Sequence, residues 1–433
     1  MSASGFRSAA LAAALAATAA VVVASSASAT QAPVDRALPP GATFYAPGFE
    51  TAAKQQWAKL VASGRRADAD LLAAMETTPR AVWFTGGSPN DVRVGVQKTV
   101  HRAEAKNELP VLVAYDVPGR DCQQYSAGGA ANTAEYLAWI DGFASGIGDS
   151  RAIVILEPDG LGLLPGANCG GGPDNASYPF TDEERYGELH AAVTRLERQP
   201  GVRVYLDATH PAWMAVGDIA QRLVDAGVAD AQGFFLNVSN YQYTANAELY
   251  GTWIAQCIAL GAYGGACPNQ YWDGGPATGW AGAALDPYQV WGDRPYGGDP
   301  AELTSNTAGI DSRYAQLLGS TVPTTHFVVD TSRNGAGPWS WAAAGYPDAG
   351  TAQDWCNPPG RGVGPRPQAH PDPANPLLDA YLWVKVPGES DGSCTRGAAG
   401  AADPEWGLVD PPAGAWFPEQ ALELARNAQP PLG

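Results

Sequence analysis

Seven short apolar segments recur along this 433-residue chain, and they restrict its fold more than any other feature of the sequence. Several are continuous rather than alternating, which is typical of strands buried on both faces. Helical patterns lie between them, and this alternation predicts an α/β fold with a parallel sheet. Seven strands over this length predict a closed or nearly closed β/α barrel, with an open doubly wound sheet as the alternative. The predicted strands are residues 81–84, 110–115, 152–157, 202–207, 233–238, 326–330 and 380–386.

Three helices between these strands carry recognisable end signals. Asn132 precedes Glu135 by three residues, which is a capping-box spacing, and apolar residues follow at helical intervals. Thr181 and Glu184 form a second such pair before another amphipathic segment. A third helix is predicted to end at Gly227, because glycine readily adopts the left-handed conformation that closes a helix.

The first 29 residues have the features of a secretory signal peptide. Arg7 is followed by a run of small apolar residues and by Ala27-Ser28-Ala29, a cleavage-site pattern. A membrane anchor is the alternative, but the run is rich in alanine and no polar stop-transfer flank follows it. We therefore expect residues 1–29 to be removed and the protein to be secreted, extracellular and without a membrane partner. No linker or internal repeat divides residues 30–433, which predicts a single domain.

The charge and aromatic content narrow the choice of partner. Acidic residues outnumber basic ones by 44 to 26, which gives a net charge of −18. Such a polyanion disfavours nucleic acid or an anionic membrane as partner. The chain also has 14 tryptophans and 17 tyrosines, and secreted proteins with many aromatic side chains often stack them on sugar rings.

Six cysteines follow the predicted signal peptide, and an even count in an exported chain predicts three disulfides. These residues alone leave the pairing open. No C-x-x-C pair and no H-x-x-x-H spacing occurs, so we expect neither a metal site nor a cofactor. The cysteines are Cys122, Cys169, Cys257, Cys267, Cys356 and Cys394.

Acidic residues follow the predicted strands, at the edge where parallel β/α folds have their active sites. Asp121 comes after the second strand, Glu157 and Asp159 after the third, Asp207 after the fourth and Asp391 after the last. Acids in ordinary solvated loops would be scattered over both ends of the sheet. Their convergence on one end predicts chemistry carried out by carboxyl groups.

Residues 388–392 match the G-x-S-x-G pattern of a serine-hydrolase nucleophile elbow. In that architecture the catalytic histidine comes later in the chain than the serine. No histidine follows Ser390, and the next residues lack a helical apolar face. The serine-hydrolase class is therefore disfavoured.

Seven further segments form an ordered set of motifs: AYDVPGRDC (114–122), VILEPDGLG (154–162), VYLDATHPAW (204–213), FLNVSNY (235–241), FVVDTSRNG (327–335), DWCNPPGR (354–361) and YLWVKVPGESDG (381–392). Together they resemble glycoside hydrolase family 6. The resemblance covers nearly all of residues 30–433 and implies one catalytic domain with a distorted seven-stranded parallel β/α barrel. It also implies hydrolysis of β-1,4-glucosidic bonds in cellulose or a related β-glucan, with inversion of configuration.

The resemblance assigns chemical roles to five residues. Asp159 matches the general acid, which must stay protonated near neutral pH to protonate a glycosidic oxygen. Asp121 matches an acid whose charge keeps that pKa raised, and Asp391 matches the candidate base. Tyr115 matches a tyrosine that crowds the sugar at the cleavage subsite, and Ser126 matches a serine that holds the attacking water.

The same resemblance implies a set of sugar-binding residues, and it makes Asp207 a supporting acid. For Asn237 the alternative is hydrogen bonding to the backbone, and for Trp83 it is core packing. A second family tryptophan on the leaving-group side is replaced here by Val216, which implies a weaker platform. The implied binding residues are Trp83, His210, Trp213, Asn237, Trp355, Lys385 and Glu389.

The resemblance also implies two disulfides, Cys122–Cys169 and Cys356–Cys394, each of which ties a loop of the site. Cys257 and Cys267 lie outside the family motifs, and a bridge between them follows by elimination. No free cysteine is then expected.

Two features bear on whether the enzyme would cut within glucan chains or from their ends. Family cellobiohydrolases roof the cleft with long loops, one of them after the last site acid, but here Cys394 follows Asp391 by only three residues. We therefore expect an open cleft and endo action by a monomer, with a cellobiohydrolase as the alternative. The long segment between Tyr241 and His326 predicts an extra lip on the cleft. A non-catalytic glucan-binding protein is a further alternative, which the intact acids disfavour.

Overall fold

Eight strands form one curled, mostly parallel sheet in the part of the chain that the structure describes. They are β1 Val82–Phe84, β2 Val111–Ala114, β3 Ala152–Leu156, β4 Val202–Asp207, β5 Gly233–Leu236, β6 His326–Asp330, β7 Gln368–Ala369 and β8 Leu378–Leu382. Parallel pairing runs from β1 to β6 in chain order and continues to β8. All seven predicted strands are present, and the predicted distorted parallel barrel is confirmed. The short strand β7, which pairs antiparallel with β8, was not predicted.

The first and last parallel strands meet at a seam. The Ala81 N–H, just before β1, donates to the carbonyl oxygen of Trp383, just after β8, at 2.8 Å. The Trp83 indole also donates across the seam, to the carbonyl oxygen of Val384 at 2.8 Å. The sheet therefore curls back on itself without a strand ladder between β1 and β8 among the described residues.

The computed structural model describes residues 38–39, 41–261, 263–270 and 307–433. Residues Arg36–Gly433 belong to one compact unit. The predicted signal peptide and much of the predicted cleft lip, residues 271–306, lie outside the described residues. Among the helices described, none is long and apolar enough to cross a membrane.

Helices connect the strands, and their ends follow the predicted signals. Asn132 Oδ1 accepts the Glu135 N–H at 3.0 Å, and Thr181 and Glu184 form a complete capping box. Gly227, with φ of +82°, follows the third predicted helix. The helices are α1 Thr51–Ala62, α2 Arg66–Thr77, α3 Pro89–Glu104, α4 Thr133–Ile147, α5 Pro165–Cys169, α6 Asp182–Leu196, α7 Val216–Asp225, α8 Thr244–Leu260, α9 Ala308–Leu318, α10 Ala349–Ala352 and α11 Pro418–Arg426.

The sheet is buried on both faces, which explains the continuous apolar segments. Alternate strand residues such as Val113, Ile155 and Phe235 pack together in one cluster inside the barrel. Their neighbours, such as Leu112 and Val154, pack against the surrounding helices in a second cluster. Polar side chains are therefore excluded from most of each strand and become available where the strands end.

A polar cluster closes the amino ends of the strands. The buried Asp379, in β8, accepts hydrogen bonds from the Tyr205 hydroxyl at 2.6 Å and from Gln232 Nε2 at 2.9 Å. Its other oxygen lies 2.8 Å from His326 Nδ1, at the start of β6. One carboxylate thus links residues from β4, β6 and β8.

Candidate active site

A cleft of about 440 Å³ lies where the parallel strands end, and it is lined by side chains from several of the connecting loops. Its floor carries acidic side chains, and its walls carry aromatic ones. Most of the residues predicted for the site line this cleft: Trp83, Tyr115, Asp121, Ser126, Asp159, His210, Trp213, Trp355, Lys385 and Asp391.

The two acids that end β3 have different surroundings. The fully buried Glu157 accepts the N–H groups of Asp116 and Val117 at 3.0 Å, so its carboxylate holds the loop that follows β2. Asp159 instead lines the cleft. Burial raises the pKa of Glu157 to about 7. We infer that Glu157 is a structural residue and that Asp159 is the acid available for chemistry.

Asp207 supports the loop that carries Asp159. Its Oδ2 accepts the N–H groups of Leu161 at 3.2 Å and Gly162 at 3.0 Å, and its Oδ1 accepts the Thr209 N–H at 2.9 Å. Burial raises the pKa of Asp207 to about 6. Asp207 therefore fixes the backbone just beyond Asp159, which agrees with the supporting role expected for it.

Asp159 is the most strongly perturbed acid of the cleft. Burial raises the pKa of its carboxyl well above the usual range, and the charges of Asp207, Asp121 and Asp391 raise it further. Lys385 opposes these effects only in part. A raised pKa favours the protonated carboxyl group, which is the state that a general acid requires.

Asp121 lies in a loop whose backbone is held by Arg120. The Arg120 guanidinium donates to the carbonyl oxygens of Tyr115, of Thr85 at 3.1 Å and of Ser126 at 2.9 Å, and it stacks 4.4 Å from the centre of the Tyr115 ring. The Ser126 N–H donates to Asp121 Oδ2 at 2.6 Å. Burial raises the pKa of Asp121. Arg120 therefore gathers Tyr115, Asp121 and Ser126 on one side of the cleft.

Asp391 is held as an anion by four neighbours. Arg333 Nη1 lies 2.9 Å from its Oδ2, and Lys385 Nζ lies 3.4 Å from its Oδ1. The Asn357 N–H and the Tyr241 hydroxyl also donate to Oδ2, at 3.0 Å and 3.2 Å. Burial alone would raise the pKa of Asp391, but Arg333 and Lys385 bring it below the usual value. The raised pKa of Asp159 thus favours its protonated form, and the lowered pKa of Asp391 favours its ionised form.

Aromatic side chains form the walls of the cleft. Trp83 meets Tyr115 edge to face, with ring centres 5.4 Å apart, and the His210 and Trp213 rings are 5.6 Å apart. Gly162 is required beside Trp213, because a Cβ on Gly162 would lie 2.6 Å from the indole. Burial lowers the pKa of His210 to about 3, so this imidazole is neutral.

Two predicted binding residues are not brought to the cleft. Asn237 is fully buried, and its side-chain amide hydrogen-bonds to the backbone of Gln242 and of Asp330. Its observed contacts are therefore those of the alternative given for it above, hydrogen bonding to the backbone. Glu389 is half-buried outside the lining and interacts with Glu50. Burial raises the pKa of Glu389 to about 8.

The site contains residues that the sequence reasoning did not select. Tyr241 and Trp339 line the cleft, and Arg333 and Asn357 contact Asp391. Arg333 and Asn357 lie within recognised motifs, which was the available signal. Trp339 lies in an irregular loop, where no periodic pattern marks it.

The backbone is left-handed at several strand ends around the cleft. Non-glycine residues with positive φ include Asp121 at +58°, Glu157 at +54°, Asp159 at +63° and Asn237 at +66°. Such conformations cost roughly 1–3 kcal/mol each and persist only where surrounding contacts impose them. The hydrogen bonds to Glu157, Asp207 and Asn237 supply such contacts.

The structure contains the disulfides Cys122–Cys169, Cys257–Cys267 and Cys356–Cys394, the same pairs that were expected. The first joins the loop of Asp121 to α5. Cys394 also lies near Asp403 and Asp410, the one group of potential metal ligands found within the described ranges. Because the Cys394 sulfur is bonded to Cys356, it offers no thiolate to a metal.

A parallel β/α barrel whose aromatic cleft pairs a carboxyl group of raised pKa with one of lowered pKa has the features of a carboxylate-dependent glycoside hydrolase. A family model described as Glycosyl hydrolases family 6 matches residues 40–428. The chain belongs to this family.

Individual relatives agree with the family assignment. Endoglucanase A of Cellulomonas fimi is 34% identical over 363 residues, which are 84% of this chain and 57% of that protein. Endoglucanase 1 of Streptomyces halstedii is 33% identical over 361 residues, 83% of this chain and 84% of that protein. The chain thus spans little more than half the length of the first relative. The endoglucanase Cel6 of Mycobacterium tuberculosis, solved with methyl-cellobiosyl-4-deoxy-4-thio-β-D-cellobioside, superposes with a TM-score of 0.60 at 31% identity, covering 89% of this chain and 97% of that chain.

Proposed function

We propose that this protein hydrolyses internal β-1,4-glucosidic bonds of cellulose or a related β-glucan, with inversion at the anomeric carbon. The observation that carries the proposal is the pair of carboxyl groups in one aromatic cleft, Asp159 with a strongly raised pKa and Asp391 with a lowered one. The family assignment and the endoglucanase relatives support the same activity.

In the proposed mechanism, Asp159 donates its proton to the glycosidic oxygen as the bond to the leaving sugar breaks. Water attacks the anomeric carbon from the opposite face. Asp391 accepts the proton of this water, directly or through a second water, and its charge stabilises the oxocarbenium-like transition state. Asp391 is held by Arg333, Lys385 and the Asn357 backbone, which favours a fixed base over a nucleophile that must approach the sugar.

The walls of the cleft fit a chain of sugar rings. Trp83, Trp213 and Trp355 offer flat apolar faces, and the exposed fraction of Trp355 is 37%, unusually high for so large an apolar side chain. Lys385 and the neutral His210 add polar groups for sugar hydroxyls. Asn237 and Glu389 have no direct contact with the substrate in this proposal.

Endo action is supported by the short connection from Asp391 to Cys394 and by the named activity of the relatives. Viscosity and reducing ends of carboxymethylcellulose, followed together, test it. We expect viscosity to fall while few reducing ends have formed. Steady cellobiose release with little loss of viscosity would instead identify a cellobiohydrolase, and binding without any product would identify a glucan-binding protein.

Inversion has its own test. The two carboxyl groups of an inverting pair stand roughly 6.5–9.5 Å apart, which leaves room for the attacking water. Proton NMR of the first minutes of cellopentaose hydrolysis should detect the α-anomer before mutarotation. Early appearance of the β-anomer would exclude the roles given to Asp159 and Asp391.

We further propose that residues 30–433 are exported as one monomeric catalytic domain. The three disulfides support an oxidising destination. Sequencing of the secreted protein should begin at Thr30, and light scattering should give the mass of one chain. Retention in the cell or a dimeric mass would contradict the respective part of this proposal.

A further inference from the structure

A buried polar network outside the cleft lining contacts Asp391, and Asn357 is its centre. The Asn357 N–H donates to Asp391 Oδ2 at 3.0 Å, and Asn357 Oδ1 accepts the Asp391 N–H at 2.8 Å. One residue therefore holds both the carboxylate and the backbone of Asp391. Because the Asp391 N–H can only donate, the amide oxygen of Asn357 must face Asp391 and its Nδ2 must face elsewhere.

The Nδ2 group of Asn357 donates to a buried carboxyl group, Asp410 Oδ2, at 2.8 Å. A second buried acid, Asp403, lies beside Asp410, with carboxylate oxygens within 4.8 Å of each other. Arg396 compensates this charge: its Nε lies 2.9 Å from Asp403 Oδ1, and its Nη2 donates to the Asn357 carbonyl oxygen at 3.0 Å. The carboxyl pair and Arg396 thus contact the side chain and the backbone of Asn357.

The unpartnered oxygens of this pair indicate that the two carboxyl groups share a proton. Asp403 Oδ2 and Asp410 Oδ1 are both buried and have no hydrogen-bond partner among the described residues. A single proton shared between the two carboxyl groups would satisfy both oxygens and remove one of two adjacent charges. In agreement, burial and the charge of Asp403 raise the pKa of Asp410 to about 7.

We propose that Asn357 is a positioning residue for Asp391, and that the Asp403–Asp410 carboxyl pair with Arg396 keeps the Asn357 amide in the orientation that Asp391 requires. The inference rests on the proposed function and deepens it. Arg333 and Lys385 supply charge to Asp391, whereas Asn357 supplies a backbone N–H and an acceptor for the Asp391 N–H. The φ of Asn357 is +42°, a left-handed value that its surroundings must impose.

The first test is the substitution Asn357→Ala. We expect kcat on a soluble cellulose to fall roughly 10–100-fold with little change in KM, because a small displacement of a reacting group is costly while the tryptophan platforms are untouched. Alanine keeps the backbone N–H that lowers the pKa of Asp391 but lacks the side-chain contacts that fix its direction. The hydrogen bond should therefore weaken, and the acid limb of the pH profile should move to higher pH. A purely structural role would leave this limb in place.

Two substitutions of Asp410 separate its hydrogen bond from its charge. Asp410→Asn is uncharged but keeps an oxygen that can accept from Asn357, so it should retain most of the wild-type kcat. Asp410→Ala cannot accept and should lose part of the kcat that Asn357→Ala loses, because the Gly392 carbonyl oxygen still accepts from Asn357 Nδ2 at 2.9 Å. Equal activity of the two variants would overturn the role of the carboxyl pair, and this comparison stands even if Asn357→Ala does not fold.

Asp379→Asn is the matched control, because it alters a buried acid at the opposite end of the barrel. It should lower Tm and leave kcat and the pH profile unchanged. Each variant is assayed at a temperature the same number of degrees below its own Tm. If Asp379→Asn then lowers kcat as much as Asn357→Ala, general destabilisation explains both losses of kcat, and the inference is wrong. If the wild type hydrolyses glucan and Asn357→Ala has the same kcat, this inference is wrong but the proposed function stands. If the wild type is inactive, the proposed function is wrong.

Discussion

At the residue scale, the acids at the strand ends belong to two groups. Glu157, Asp207 and Asp330 accept hydrogen bonds from backbone N–H groups of neighbouring loops. Asp121, Asp159 and Asp391 line the cleft. The first group holds the loops in place, and the charge of one member, Asp207, also raises the pKa of Asp159.

Substitution of Asp159 should remove proton donation but not binding. Asp159→Ala should lower kcat on cellulose about 10²–10⁴-fold, the usual contribution of general acid catalysis, and leave oligosaccharide affinity nearly unchanged. A glycoside with a very acidic leaving group needs little protonation, so its hydrolysis should be affected much less. Steady-state kinetics on both substrates make the comparison, and equal losses would remove Asp159 from this role.

The pH profile should depend on both carboxyl groups. Asp159 must be protonated, so activity falls as pH rises through its raised pKa; Asp391 must be ionised, so activity falls as pH drops through its lowered pKa. Asp121→Asn removes a negative charge that raises the pKa of Asp159. The alkaline limb of kcat/KM should therefore move to lower pH in this variant. An unchanged or higher alkaline limb would contradict this electrostatic coupling.

The strand-end pattern predicted where the acids lie, whereas only the family resemblance distinguished Asp159 from Glu157. Glu157 and Asp159 are two residues apart in one motif, and both have left-handed backbones. The contacts that distinguish them come from Asp116 and Val117, about 40 positions away. Asn237 shows the same limit, because its partners lie in Gln242 and across the sheet at Asp330.

At the scale of elements, the loops after β2 and β3 are joined covalently. Cys122 is adjacent to Asp121, and Cys169 is the last residue of α5. The disulfide therefore ties the loop of Asp121 to a helix that follows Asp159. Cys257–Cys267 instead joins the end of α8 to the turn beyond it, away from the acids.

Removal of each disulfide should have a different effect. Loops of 47 and 10 residues are closed by Cys122–Cys169 and Cys257–Cys267, for which chain entropy predicts contributions of about 4 and about 3 kcal/mol. Replacing Cys122 and Cys169 by serine should reduce both the free energy of unfolding and kcat. The matched replacement of Cys257 and Cys267 by serine should reduce only the free energy of unfolding. Denaturant unfolding and kinetics test both, and an unchanged kcat in the first variant would show that the Asp121 loop needs no covalent support.

Elements were predicted well where they carry a local hydrophobic or capping pattern. The seven apolar segments and the capped helices gave the correct order because their signals are local. Strand β7 has only two residues, Gln368 and Ala369, and exists through pairing with β8. So short a segment has no periodicity of its own, and its pairing depends on tertiary contacts.

At the scale of the whole molecule, the curled sheet is fastened at both ends by polar groups. Acidic and amide side chains connect the loops at the carboxyl ends of the strands. Asp379, Tyr205, Gln232 and His326 connect the strands near their amino ends. The sparse seam between β1 and β8 makes these side-chain links important to the curvature of the sheet.

The stability of the fold should therefore depend on the ionisation of His326. The hydrogen bond to Asp379 raises the pKa of His326, so the folded state binds its proton more tightly than the unfolded state, whose value is about 6.5. The stabilisation is complete below about pH 6.5 and disappears as pH rises through the folded-state pKa. The Tm difference between wild type and His326→Gln should thus be larger at about pH 5 than at about pH 9. A difference that grows with pH would reverse this assignment.

The left-handed conformations at the strand ends have a consequence for laboratory evolution. At positions such as Asp121 and Asp159, glycine would relieve backbone strain and remove a half-buried acid in one step. A library screened only for survival at high temperature should accumulate such replacements, because the most heat-tolerant sequences would include inactive ones. Selection of heat-tolerant variants therefore requires a measurement of turnover in every round, with these few codons kept constant.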